Sequence, residues 1–299
     1  MSTRVPTDAN DSNTNPNDVL HRMLAASHAA RLNPALDSGD FEGDLQRELS
    51  VRRVERELVE AERLAIASDV AAVPTEATAF VNWFEALKQH GPGQNDALFP
   101  WLAETANHAQ MCWFLTQELA GEAGFDDLVA MTQVKLPTRP KLEMARNYWD
   151  EMGQGTEGGM HGPMLGALAR ALDLRPDGGT VWESLALSNL MVALASARHY
   201  AYQSVGALGV IELTAPGRSH CVNLGLKRLG IAGAARRYYA LHATLDVRHS
   251  ATWDGEVLHP LVESNPQLAK PIAEGALMRL RAGRRCFDRY RRELWGEAS

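Results

Sequence analysis

The chain is short of cysteine, of positive charge, of long apolar runs and of strand patterns, and each shortage removes a class of protein. Cys112, Cys221 and Cys286 are the three cysteines among 299 residues. An odd count with no CxxC pair argues against a disulfide scaffold or a cysteine zinc finger, and fits a reducing compartment. No stretch of about 18 apolar residues is present, so no membrane-spanning helix is expected. The opening MSTRVPTDANDSNTNPND lacks the apolar core of a signal peptide. A cytoplasmic protein is the resulting expectation. Thirty basic residues against 37 acidic ones leave a net charge of −7. A general nucleic-acid binder needs a basic surface to attract phosphates, so neither nucleic acid nor a membrane is expected as a partner. Asn-Gly and Asp-Gly hairpin signals between alternating residues are nearly absent. No GxSxG, Walker A or GxGxxG stands in a strand-to-helix context, which leaves triad hydrolases and nucleotide binders without support.

What is present is helix. A content of 45% hydrophobic and 22% charged residues is that of an ordinary globular protein, long enough to bury a sizeable core. Residues 1–16 are polar and read as a disordered tail. Val19, Leu20, Met23 and Leu24 then recur at helical spacing, and a charged amphipathic helix follows at roughly 42–68. These form an N-terminal helical extension over 17–72, ahead of a main domain over 73–299. Breaks and caps place further helices, at about 95–122, 125–133, 138–151, 160–173, 178–212, 218–229, 233–253, 256–264 and 266–295. Pro216-Gly217 is expected to end the 178–212 segment. The fold class is all-α, a single bundle of about seven core helices plus the N-terminal ones.

Four places carry metal-type chemistry. His242, Asp246 and His249 sit at i, i+4 and i+7, so they project from one helix face, and two imidazoles with a carboxylate suit a first-row transition metal. A solvated polar stripe is the competing reading. Glu212 stands at the end of a long stretch of small and aliphatic residues. A buried carboxylate there is costly unless paired or metal-bound, whereas a helix-end glutamate ahead of Pro216 could reach solvent. Glu151 closes one helix and His161 opens the next, with Gly153, Gly155, Gly158 and Gly159 letting the chain bend between them. Glu118 lies between apolar positions on a broad face with His108, Met111 and Leu115, and Glu122, beside the glycine stop, is its alternate. Taken singly, Glu212 reads equally well as exposed, Glu151 and His161 read better as a helix cap and a loop histidine, and Glu118 and Glu122 read strongly as exposed. The last helix bears a basic face of Arg281, Arg284, Arg285, Arg289, Arg291 and Arg292, most simply a solvated surface.

Together these residues resemble the heme-oxygenase-like diiron oxidases, the iron-containing redox enzyme family. The resemblance rests on the order Glu118, Glu151-x9-His161, Glu212 and the closing His242-x3-Asp246-x2-His249, with the string Tyr148-Trp149-Asp150-Glu151-Met152-Gly153. It covers about residues 75–295. It implies a heme-oxygenase-like bundle that binds two irons and no heme, through seven side chains, with O2 as co-substrate. It implies an oxidase or oxygenase of small amines or amino-acid-derived molecules, acting by N-oxygenation or C–H and C–C oxidation, in natural-product biosynthesis. It also allows a fatty-acid substrate, an external electron donor and a homodimer. The expected division puts Glu118, His161 and His249 on one iron and Glu212, His242 and Asp246 on the other, with Glu151 between. The chain lacks the paired Glu-x-x-His motifs of ferritin-like diiron proteins. Two other readings stand beside this one: a heme-binding or heme-degrading helical protein with His21 or His28 as proximal ligand, and a non-catalytic interaction protein using the basic last helix.

Overall fold

Helix α1 (Pro16–Leu32) starts where Asn15 accepts a hydrogen bond from the backbone N–H of Asn17 and Pro16 fills the first turn. The structure, a computed structural model, describes residues 15–36, 38–176 and 179–296. Most of the expected tail lies outside them. Among the described residues the chain is 80% helical and has no strand, so the all-α bundle is observed. Helices α2 (Phe41–Ala65), α3 (Ala67–Val70), α4 (Ala77–His90), α5 (Leu98–Glu104), α6 (His108–Gly121) and α7 (Phe125–Thr132) form the first half. Helices α8 (Thr138–Glu151), α9 (His161–Ala171), α10 (Trp182–Ser196), α11 (Ala201–Arg228), α12 (Arg237–Trp253), α13 (His259–Ser264) and α14 (Ala269–Trp295) complete it.

Three boundaries differ from those expected. The 95–122 segment is two helices, because Asn107 and Gln110 form a capping box that starts α6 afresh. The 178–212 segment breaks at Ala197, where local sequence offers no breaker. There Arg31 and Arg52 bond the Ser196 hydroxyl, and the Arg198 guanidinium donates to the carbonyls of Met131, Thr132 and Val134. Pro216 does not end its helix: α11 runs on to Arg228. Proline deletes the one bond that the carbonyl of Glu212, four residues back, would accept. Burial of α11 between α12, α14 and α5 outweighs that loss.

Helix α11 is the central post, and its small residues let neighbours approach closely. A Cβ on Gly206 would lie 1.8 Å from the Ile272 carbonyl oxygen of α14, and one on Gly275 would lie 1.7 Å from that of Gln203. Phe99, Phe114, Phe287 and Tyr290 pack edge to face beside this crossing. The basic face of α14 is largely neutralised within the fold. Arg285 and Arg281 reach Glu62 at 2.6 and 3.6 Å, Arg291 pairs with Asp96 and Asp288, and Arg292 stands 3.8 Å from Glu183. Those pairs tie α14 to α2, α10 and the segment before α5, which accounts for arginines that read as a solvated face in sequence.

Because the α11–α14 crossing has no room for a methyl group, Gly275→Ala is expected to cost about 1–3 kcal/mol by overpacking. Gly217→Ala, whose Cβ meets nothing within 4 Å, should cost nothing. Denaturant unfolding monitored by circular dichroism distinguishes the two.

Candidate metal centre

Four helices converge on one polar point inside this bundle. Helix α8 ends on Glu151 and α9 begins on His161, and the loop between them closes on itself. Met152 and Met160 form an isolated antiparallel bridge across that loop. Gly153 has φ of 60°, and a Cβ there would lie 2.2 Å from the backbone of Gly159. Only glycine fits both the left-handed backbone and the contact. The pinch sets the His161 imidazole Nδ1 2.7 Å from Glu151 Oε2. Helix α11 supplies Glu212, and α12 supplies His242, Asp246 and His249 from one face. These six side chains are 2–9% exposed.

The donors fall into two groups that share Glu151. One is Glu151, His161 and His242; the other is Glu151, Glu212 and His249. Within each group, one ligand atom per residue lies within 4.8 Å of the others. Metal–ligand bonds of about 2.0–2.2 Å place donors roughly 3–4.4 Å apart around a single ion. Asp246 Oδ1 stands 4.0 Å from His249 Nδ1, and Glu212 Oε2 stands 3.4 Å from it. The expected division is therefore rearranged: His161 stands with His242, the ring centroids 4.7 Å apart, and His249 stands with Glu212. Glu118 is not brought to either group. Glu122, the residue just past the end of α6, lines the cluster's cavity of about 110 Å3 together with Asp126, whereas Glu118 does not. Both Glu122 and Asp126 act electrostatically on Glu151.

Hydrogen bonds aim the imidazoles. His242 Nδ1 lies 2.8 Å from the Tyr238 carbonyl oxygen, to which it donates, leaving Nε2 for the cavity. His249 Nε2 lies 3.1 Å from Asp150 Oδ2, leaving Nδ1 toward Glu212. Asp150 is held in turn by Arg248 at 2.9 Å and Gln154 at 2.8 Å. Asn147 Nδ2 donates to Glu212 Oε1 at 2.6 Å. Neither Asn147 nor Asp150 was given a role in the sequence reading, although Asp150 stands in the string Tyr148–Gly153 that carries the resemblance. The signal for Asn147 was helical spacing from Glu151, which puts it on the same face of α8.

The electrostatics favour a cation. Burial, then the charges of Glu212 and Glu122, push the Glu151 carboxyl well above the usual carboxylate range. Burial, then Glu212 and Glu151, push Asp246 in the same direction. Burial lowers His161 and His242 to about 4, so both rings are neutral at pH 7. His249 moves the other way, to about 9: burial opposes its charge, but Glu212 and Asp150 outweigh it. Asp246 Oδ1 is buried without a hydrogen-bond partner, and His161 Nδ1 and His249 Nδ1 lie beside carboxylate oxygens without a well-directed hydrogen bond to them. Such orphaned donor atoms beside self-repelling carboxylates fit a metal ion, which satisfies both at once.

The two histidines suited to a heme reading are occupied elsewhere. His21 stacks on Trp182, ring centroids 5.6 Å apart, and lies 3.4 Å from Asn189 Nδ2. His28 Nε2 is 2.7 Å from Glu55 Oε1.

An unfolded aspartate titrates near about 3.9 and holds fewer protons above that pH than the folded, metal-free chain does. Stability of the metal-free fold should therefore fall as pH rises past about 4, by the contribution of Asp246. Asp246→Asn removes that contribution. At pH 7.5 it should stabilise the metal-free protein by at least about 1 kcal/mol, yet lose the rise in Tm that ferrous or manganous ion gives the unaltered chain. Calorimetric scans with and without metal test both halves.

A search among curated proteins finds no match. A match to the iron-containing redox enzyme family spans residues 112–284, a stretch that holds Glu118, Glu122 and all six clustered side chains. With that span covering more than half of the sequence, the chain belongs to the iron-containing redox enzyme family.

Proposed function

We propose that the protein is a non-heme diiron enzyme that activates O2 to oxidise or oxygenate a small amine or amino-acid-derived substrate. The observation that carries this reading is the pair of donor groups sharing Glu151. One carboxylate common to two donor sets is what a bridged pair of ions requires, and inward carboxylates and imidazoles from several helices are how bundles hold such pairs. In this reading His161 and His242 serve one ion, Glu212 and His249 the other, and Asp246 stands beside His249. Glu122, at the C-terminal cap of α6, is within reach rather than Glu118. Two irons would supply the electrons and the binding site that O2 needs.

The chain's own residues do the rest. Asp150 and the Tyr238 carbonyl fix the tautomers of His249 and His242. Asn147 fixes one oxygen of Glu212 and leaves the other toward His249. Leu165, Ile211 and Phe125 wall the cavity and keep bulk water from the reacting centre. A cavity of about 110 Å3 beside the cluster suits a small molecule better than a long acyl chain. An external electron donor, a role in natural-product biosynthesis and a homodimer belong to the same proposal, supported by the family alone.

Anaerobic loading with ferrous ion, iron counting, and then mixing with O2 tests it. About two irons per chain and rapid O2 consumption are expected, and His249→Ala should abolish consumption and lower the iron count. Binding of no iron, or undiminished consumption by His249→Ala, would overturn the assignment.

A further inference from the structure

Helix α11 carries more than Glu212. Ile211, Thr214, Ala215, Arg218, Ser219 and Val222 recur at three and four, so they form one stripe along it. The stripe exists because α11 continues past Pro216, and it is a wall shared by three cavities. Ile211, Ala215 and Ser219, with Tyr238 of α12, line both the cluster's cavity and a second one of about 120 Å3. Thr214 and Arg218, with Phe99 of α5, line both that second cavity and a third of about 360 Å3, beside the turn that joins α4 to α5. The third reaches the surface, since Lys88, Gln89, Asn95 and Gly217 on its rim are exposed.

The partition between the second and third cavities is made of side chains. Phe99 and Thr214 are buried, and the Thr214 hydroxyl donates to the Val210 carbonyl at 2.7 Å. Arg218 is held less firmly. Its hydrogen bond to Gln94 Oε1 is 3.4 Å long, beyond the usual range. Its guanidinium lies over the rings of Phe99 and Phe287, at 5.8 and 5.1 Å, and a ring face attracts a cation without setting one rotamer for it. Two carboxylates pull on it from opposite sides: Glu118 lines the inner cavity and Asp96 the outer one. Arg279, beside Glu118, pushes it outward. The turn bearing Gln94 and Asp96 is pinned, because Asn95 Nδ2 donates to the Gln89 carbonyl at 3.0 Å and Asp96 pairs with Arg291. Movement at the partition is therefore left to the Arg218 side chain.

We infer that the three cavities are one passage by which small polar molecules travel between solvent and the metal cluster, and that Arg218 is the side chain that opens and closes it. Hydroxyls of Thr214, Ser219 and Tyr238 and charges of both signs line the route, so it suits hydrophilic traffic. Arg218 then sets the size of what arrives at the cluster. The passage belongs to the metal-free chain, and the inference rests on the proposed diiron reading only for what stands at its inner end. The cluster's cavity also touches Gly124, Phe125 and Gly162. Entry on that side is the rival route, and it leaves Arg218 without a role.

Two measurements test this, one of them without metal. In the metal-free full chain, Ser219→Cys places a thiol on the inner stretch of the passage, in a Cys221→Ser background. Mass spectrometry follows its modification by methyl methanethiosulfonate. Adding Arg218→Ala should speed that reaction and adding Thr214→Trp should slow it, each at least about fivefold, in variants checked for native circular dichroism. In the iron-loaded ferric protein, stopped flow follows the absorption band that azide gives on binding iron. Cys221 lines the outer cavity, so converting its thiol to a benzyl disulfide plugs the passage without a substitution. Azide should then bind and leave at least about tenfold more slowly with Kd unchanged, and Cys221→Ser should be insensitive to the reagent. A thiol rate that neither folded variant alters, or an azide rate that the plug leaves unchanged, would overturn the inference. Failure to bind iron would overturn the diiron reading alone, because the thiol measurement stands without metal.

Discussion

Three carboxylates packed against one another inside a helical bundle are the constraint around which this molecule is arranged. Glu151, Glu212 and Asp246 are all nearly inaccessible to solvent. Glu151 and Asp246 hold their protons far above the usual carboxylate range because burial and mutual repulsion act together. An apolar core of the same volume would fold more easily. Keeping the carboxylates makes sense only if a cation settles their charge, and the orphaned nitrogens of His161 and His249 stand ready to share it. The site is thus a strained polar void in the metal-free fold, and the rest of the bundle supplies the stability that holds it open.

That support comes from close backbone packing and from a locked loop. The α11–α14 crossing approaches to the limit that glycine allows at Gly206 and Gly275. This rigid post carries Glu212 into the cluster. The Gly153–Gly159 pinch does the corresponding work for α8 and α9, forcing Glu151 and His161 into contact across a short loop. Helix α12 needs no such device, because helical period alone aligns His242, Asp246 and His249. Outside these six, Asp150, Asn147 and the Tyr238 carbonyl orient what the helices deliver.

The cavity beside the cluster continues into a second compartment. Carboxylates and imidazoles line the first, and Arg218 and Arg279 stand in the second together with Glu118 and Glu122.

The sequence by itself determined the helical class, the inward stripe of α12 and the glutamate–glycine–histidine joint. Each depends on spacing along the chain, and spacing is written in the residue order. It could not choose between Glu118 and Glu122. They lie one turn apart, Glu118 within α6 and Glu122 just past its end, and which of them lines the cluster's cavity depends on how α6 crosses its neighbours. The pairing of His161 with His242 is decided in the same way, since it joins α9 to α12. So are the break at Ala197 and the passage of α11 through Pro216, where distant arginines and burial outweigh local preference. Arg218 and Arg279 were the least legible of all. They are 61 residues apart in sequence, and only the folded chain brings them into one compartment with Glu118 and Glu122.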